Sequence, residues 1–443
     1  MFKKVTRSIA HQMDPGGELV PVHSILDHED FKPLCLVRRK TKAMFRSGPS
    51  YRQTGYSLND VLLPEEDDES TESLLSRGDQ LVIQRSASDT ADGSLSLQAD
   101  PASVEMKAAA SLAEAWSIKL ENNQIPIPKL EALTKRKMNV NHSFIQQIMK
   151  TQQHLYVVHE AIETSEETRY EESTHAEGSF MAQIYAKLCV KGTQQIKQSI
   201  TIPKGCTLAF RVIELAITEG SWGLVYSPHG KILRIVSDGF SPQKLRRLKE
   251  EVQNHCQILS QLSSDMFVTL LKAIKAVMRD RSLFQELTHQ MEAVLGEVGS
   301  CELETESPDV KDLLSSLQRL PRSVLLQLAR TITYALDALD ELTEDQQLLL
   351  LESSEEKITS QQLQLVASIL EHELGRISRC FSVDAGLLSF SREEQQKLTI
   401  AVVEMSGVKL QKDGSATCTE DAFSAVAALY VSLYILDLLS NSH

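Results

Sequence analysis

Five cationic residues, Arg38, Arg39, Lys40, Lys42 and Arg46, crowd around two apolar ones, Met44 and Phe45, in the stretch RRKTKAMFRSG. Guanidinium and ammonium groups attract phosphates and carboxylates, and an apolar pair between them gains by leaving water. With a polar centre such a run is a solvated loop; with an apolar centre it can probe an anionic surface. The same residue types recur in FKKVTRSIAHQM, where Phe2, Val5, Ile9 and Met13 step along one helical face and Lys3, Lys4, Arg7 and His11 fall elsewhere. A helix of that kind can lie in a headgroup layer. Each Lys or Arg beside an anionic leaflet contributes about 1 kcal/mol, so the two stretches together reach several.

Other chemistry is missing from the sequence. There is no G-x-G-x-x-G, P-loop, H-E-x-x-H or G-x-S-x-G run, and no cysteine with a motif-placed histidine. The 12 histidines lack ligand spacing, and acidic residues fall in surface-like runs such as Glu65 to Glu69. No enzyme, cofactor or metal is expected. The seven cysteines, at 35, 189, 206, 256, 301, 380 and 418, are scattered and include no C-x-x-C pair, which fits a reducing cytoplasmic setting rather than a disulfide framework. The N-terminal stretch lacks the apolar core of a secretory signal. Nucleic acid is not an expected partner, because no RNP, KH, zinc-finger or helix-turn-helix signature accompanies the basic residues.

Those basic residues are unevenly placed. The formal net charge is -14 over 443 residues, yet residues 1–59 hold 10 basic against 5 acidic side chains. Residues 1–238 sum to -3 and the remainder to -11. A basic end sharing a chain with an acidic half suits an anionic target or masking by the rest of the chain.

The elements that must carry these residues change period part-way along. From Leu81 to Leu120, from Ser179 to Lys191 and, more weakly, from Leu155 to Tyr170, apolar residues alternate with polar ones, as at Ile118 and Leu120 or from Phe180 through Ala182, Ile184, Ala186 and Leu188 to Val190. That is the period of antiparallel strands with one apolar side. Beyond about residue 243, Leu245, Leu248, Val252, His255, Leu259 and Leu262 step by three and four, the period of a helix, and His255 reads as a satisfied core histidine. Helix starts are signalled at Thr343 with Gln346 and at Ser391 with Glu394, the latter helix stopping near Gly407. Ala422 to Leu436 is uncharged over 15 residues, short of the roughly 20 that a spanning helix needs, and is expected to be a core helix. The expected class is α+β: an N-terminal twisted antiparallel sheet with flanking helices over residues 1–226, a linker over 227–243, and a C-terminal all-α domain over 244–443.

In order along the chain, MFKKVTRSIAHQMDPGGELVPVHSILD, FKPLCLVRRK, YSLNDVL, HLYVV, SITIPKGCTLAFRV, ALDALDELTEDQQLLLLES, QLQLVASILE and AALYVSLYILDLL closely resemble the gasdermin family. The match is thinnest at 64–105 and 221–238. The resemblance implies an autoinhibited pore-former. In that reading residues 1–226 are the pore-forming, lipid-binding domain and 244–443 the autoinhibitory one. A protease cut in the linker releases the first, which binds acidic phospholipids (phosphoinositides, phosphatidylserine, cardiolipin), forms a self-oligomer and builds a β-barrel in the plasma membrane, with pyroptotic lysis. The resting chain would be cytoplasmic, its own C-terminal domain serving as partner. Lys3, Lys4, Arg7, Arg38, Arg39, Lys40, Lys42 and Arg46 would contact lipid. Met44 and Phe45 would probe the membrane after release. Tyr334 and Ala338, on one helical face, would cover the N-terminal half at rest, with plain helix packing as the competing reading.

The linker run Ile235-Val236-Ser237-Asp238 before Gly239 looks like a caspase or granzyme site, with Asp238 as the activating cut. Asp89-Thr90-Ala91-Asp92 before Gly93 has the spacing that executioner caspases prefer, and a cut after Asp92 would sever a membrane hairpin and inactivate. Cys189 is either a buried thiol or, near the end of a spanning strand, a site of lipidation or oxidation. Phe180 to Val190 supplies 11 residues, against the roughly 9 to 11 of a tilted spanning strand. A lone hairpin in hydrocarbon leaves unpaired edge groups, so insertion requires neighbouring copies to close them. The alternative is a peripheral acidic-lipid-binding scaffold that does not insert.

Overall fold

The computed structural model describes residues 2–40, 43–46, 48–64, 74–78, 80–85, 96–98, 116–151, 153–172, 198–218, 221–226, 241–296, 305, 307–372, 374, 380–419 and 422–441. They fall into two units: those within residues 1–41, 48–178 and 194–232 make up the first, and those within 42–47 and 233–443 the second. Asp92, Cys189 and Asp238 lie outside the described residues, as do the expected strand 179–191 and the linker from 227 to 240.

In unit one, helix α1 (Phe2–Met13) forms where the apolar spacing places it, with Phe2, Val5 and Ile9 all buried. Thr6, buried with them, donates its hydroxyl to the Val22 carbonyl at 2.7 Å, so no polar group is stranded there. Below lies an antiparallel sheet of β1 (Val20–Pro21), β11 (Thr207–Thr218), β8 (Leu155–Thr164), β7 (Trp116–Gln124), β5 (Leu81–Arg85) and β6 (Ser96–Gln98), in that order. β2 (Cys35–Arg39) pairs with β8 and with β3 (Tyr51–Ser57); β4 (Ser76–Arg77) pairs with β7, and β12 (Ser221–Val225) with β11. Helices α2 (Leu58–Val61), α3 (Ile127–Ala132) and α4 (Ser143–Thr151) supply a second apolar cluster.

The expected strand 155–170 breaks in two. β8 ends at Thr164, and β9 (Thr168–Glu172) pairs with β10 (Gln198–Ile202) in a separate two-stranded sheet. Its alternation is weak because both faces of β8 are covered. Tyr156, Val158 and Ile162 join the cluster containing α1, while Leu155 and Val157 join the one containing α2 to α4, and a strand buried on both sides loses the period-two signature.

Charge anchors the end of α1. Asp14 accepts backbone N–H groups from Gly16, Glu18 and Leu19, and pairs at 3.0 Å with Arg211 of β11, which also pairs at 2.8 Å with Glu160 of β8. Burial pushes the Asp14 carboxyl up, but Arg211 and the N–H donors more than reverse it, holding its pKa below the ordinary carboxylate value.

In unit two, the described helices are α5 (Ser241–Cys256), α6 (Ser264–Arg279), α7 (Arg281–Gly296), α8 (Pro308–Gln318), α9 (Arg322–Glu341), α10 (Glu344–Glu355), α11 (Thr359–Glu371), α12 (Glu393–Glu404) and α13 (Ala422–Asn441). Leu245, Leu248, Val252 and Leu259 are buried as their spacing predicts. Among the described residues, α13 is the one helix long and apolar enough to cross a membrane by length and composition, and 67% of its apolar window is buried. It packs against α9 and α11 as a core helix. Thr343 caps α10 in a reciprocal capping box with Gln346. Ser391 does not cap α12. The first carbonyl in that helix to accept is that of Arg392, which is the N-cap and makes no side-chain cap bond.

The half expected to be all-α is mostly helical and also holds a three-stranded antiparallel sheet, β13 (Cys380–Ser382), β15 (Ser415–Cys418) and β14 (Val408–Leu410), in that order. The turn into β15 requires Gly414: its φ is +88°, and a Cβ there would stand 2.4 Å from the Val383 carbonyl oxygen.

Candidate functional site

The β2–β3 hairpin carries the basic run. Arg39 pairs with Tyr51, and the Lys40 N–H donates to the Ser50 carbonyl at 2.8 Å. Arg38 and Arg39 are therefore strand residues. Farther along, Ala43 to Arg46 closes a turn through the Arg46 N–H on the Ala43 carbonyl at 3.1 Å, with Met44 and Phe45 at its centre. This turn belongs to unit two.

There Phe45 has 0% exposure and joins the apolar cluster of the helices. Its ring meets that of Tyr334 edge-on, centroids 5.3 Å apart and planes at 65°, a favoured aromatic geometry. On α9, Thr331, Tyr334, Asp337 and Ala338 recur at three and four residues and so share a face. Arg46 reaches Asp337, Nη2 to Oδ1 at 2.7 Å, with side chains 5% and 12% exposed. From α5, Glu251 accepts the Tyr334 hydroxyl at 2.9 Å and the Met44 backbone N–H at 3.2 Å on the same oxygen. Burial, and then the Glu251 charge, push the Tyr334 phenol far above its ordinary pKa, so it stays a donor. His255, one turn after Glu251, stacks on the Tyr334 ring at 4.0 Å and 7°. The Thr331 hydroxyl donates to the His255 carbonyl at 2.6 Å, tying α9 to α5. Ala338 is fully buried.

Met44, Phe45, Arg46 and Tyr334 thus come together, with Ala338 one turn beyond Tyr334. The other basic residues are elsewhere. Lys3 is buried and Arg7 half-buried on α1; Arg38 donates to Gln153 at 2.8 Å; Arg39 is exposed; the Lys4 side chain and Lys42 fall outside the described residues. Sequence reasoning missed Glu251 and Asp337. Asp337 carried a usable signal, standing three residues after Tyr334 with a charge opposite to that of Arg46, whereas Glu251 sits in a polar run that reads as solvated.

Residues 1–232 match the family profile described as the gasdermin pore forming domain, and residues 244–417 match the gasdermin PUB domain. Gasdermin-A of Mus musculus is 32% identical, the alignment covering 100% of this chain and 99% of that protein. The chain belongs to the gasdermin family. Gasdermin-A of Homo sapiens is 31% identical at the same coverage of both. The cryo-EM structure of the Gasdermin A3 membrane pore is 25% identical, covering 52% of this chain and 96% of that one, with a TM-score of 0.33, too low to assign positions. In this gasdermin, residues 43–46 lie within the pore-forming span of the sequence and are nevertheless built into the helical unit.

Proposed function

We propose that this gasdermin is an autoinhibited pore-former and that the Ala43–Arg46 turn is its latch. The observation that carries the reading is Phe45, an aromatic from a basic loop, wholly buried against Tyr334 among the helices. Freed, its ring loses the cover it has here and gains by entering a headgroup layer. Arg46, freed from Asp337, would join Arg38, Arg39, Lys40 and Lys42 as a cationic rim for acidic phospholipid, with Lys3, Lys4 and Arg7 of α1 adding to it.

On this reading the resting chain is cytoplasmic. Cleavage after Asp238 by an Asp-specific protease, a caspase or granzyme, separates the domain 1–226 from 244–443. The first then binds acidic lipid, self-associates because strands in hydrocarbon must close their edges, and forms a lytic β-barrel in the plasma membrane. A cut after Asp92 inactivates it. Dye release from vesicles containing phosphatidylserine tests the scheme. The intact chain should leave vesicles sealed and the chain cut after Asp238 should empty them, with Asp238→Ala resisting the cut. Replacing Arg38, Arg39, Lys40 and Lys42 by Glu should abolish release without affecting cleavage. Cut protein that binds vesicles and releases nothing would replace this reading with that of a non-inserting scaffold.

A further inference from the structure

His255 touches the group that holds Phe45. Its ring lies flat on Tyr334, whose ring also meets Phe45, and it stands one turn from Glu251, the acceptor for both the Tyr334 hydroxyl and the Met44 N–H. We propose that His255 is a positioning residue that makes the latch proton-sensitive: the neutral imidazole belongs to the latched arrangement of residues 43–46, and the imidazolium to the released one. This rests on the latch reading above and adds its regulation.

The groups around the ring decide the direction. On its own helix the ring is near Glu251, and α9 presents Tyr334 and Asp337. The turn brings Arg46, paired to Asp337. Of the other helices packed on α5, α13 carries Tyr430, Tyr434 and Asp437, and Asp437 already accepts from Thr359 and Ser360; α11 carries Glu371 at its last residue. Two carboxylates could therefore compensate an imidazolium, and both are committed. Asp337 would have to turn from Arg46, or Glu251 from Tyr334 and Met44. The C-terminal end of α5 also favours a cation, but the His255 carbonyl there already accepts from Thr331. His255 is part-buried, so a protonated ring is left to solvent alone or is compensated at the expense of the latch.

Burial lowers the His255 pKa from its ordinary 6.5, with Glu251 and Asp337 opposing it and failing to cancel it. A base whose pKa is depressed in one state binds protons better in the other. The latched state is unaffected above about 6.5 and loses ground as the pH falls through that value toward the lowered one.

Hydrogen–deuterium exchange on the intact full-length chain tests this, following peptides that cover residues 43–46 at about pH 7.5 and about pH 5.5, with labelling times scaled for intrinsic exchange. Wild type should lose protection several-fold on acidification and regain it on return. His255→Gln keeps a planar group over Tyr334 but cannot charge, and its protection should not change with pH. Tyr334→Ala should be unprotected at both. A flat wild-type profile, or the same acid-driven loss in His255→Gln, overturns the proton inference. Tyr334→Ala protected at neutral pH overturns the latch reading instead. If His255→Gln opens at neutral pH, NMR titration of the His255 ring decides: in the intact chain it should titrate below its value in Tyr334→Ala, and equal values overturn the inference.

Discussion

Helix α1 and the Ala43–Arg46 turn are alike in composition, cationic with a few apolar residues, and differ in what covers those residues. Phe2, Val5 and Ile9 of α1 belong to unit one's own cluster, backed by the Thr6 bond to Val22 and the Asp14–Arg211–Glu160 pairs. Phe45 belongs to the cluster of the helical unit, and Arg46 pairs there. On the proposed reading, separating residues 244–443 from the turn strips the partners from Phe45 and Arg46, while Phe2, Val5 and Ile9 keep the cluster of unit one. Two elements that the proposed reading assigns to the same anionic surface are thus held by separate sets of contacts, and each should break alone.

The largest separation should come from Asp337→Ala. It removes the carboxylate that Arg46 reaches at 2.7 Å, and breaking a buried ion pair costs about 3–5 kcal/mol. Exchange protection at 43–46 should collapse and the uncut chain should release dye from phosphatidylserine vesicles. Both tryptophans, Trp116 and Trp222, lie in unit one, so the midpoint of their fluorescence in denaturant should stay where it was. An equal shift there would mean that the two devices are one. Phe45→Ala follows, at about 3 kcal/mol for truncating a buried aromatic. It should open the latch like Asp337→Ala, yet release less dye once the chain is cut, because the ring that the proposed reading places in the headgroup layer is gone.

How far the sequence reveals these devices depends on how local each one is. α1, the helical stripe of α5, the Thr343–Gln346 box and the core role of α13 are legible because periodicity and capping act within a few residues. The both-face burial of β8 is not, since one face is covered by α1 at the start of the chain and the other by α2 and α3 as well as by the adjacent α4, an arrangement no local pattern in β8 encodes. Nor is the cap of α12, where Ser391 and Glu394 have the right spacing and the backbone starts the helix one residue later. The latch is half legible. Its apolar centre is conspicuous among charges, but its partners lie some two hundred residues or more away, and family resemblance points to Tyr334 and Ala338 alone among them.

On the other side of the comparison, Asp14→Asn should loosen α1 and spare the latch. Hydrogen bonds to an ionised group contribute about 1.5–3 kcal/mol, so the tryptophan midpoint should fall by about 2 kcal/mol's worth while protection at 43–46 is unchanged. Acid separates the same pair in wild type. Asp14 has a depressed pKa, so its contribution is full above the ordinary 3.8 and is lost only as the pH falls below that. The His255 effect begins near 6.5. Between those values the latch should weaken with α1 still anchored, visible as exchange at 43–46 without exchange in peptides covering 2–13.

Thr6→Val is the smallest and most specific change. Valine matches threonine in shape, so the α1 face stays packed, and what is lost is the donor to the Val22 carbonyl and to the weaker 3.2 Å contact with Lys3. The cost should be about 1 kcal/mol, that of one buried hydrogen bond with its acceptor left wanting. Because Val22 continues from β1 and its own N–H still donates to the Leu208 carbonyl, the strand should hold and only the helix should loosen. The tryptophan midpoint should drop slightly, amides of 2–13 should exchange faster, and the pH profile at 43–46 should overlay that of wild type. If that profile moved, α1 and the turn would share an energetic connection, and the division of labour between the two units would have to be redrawn.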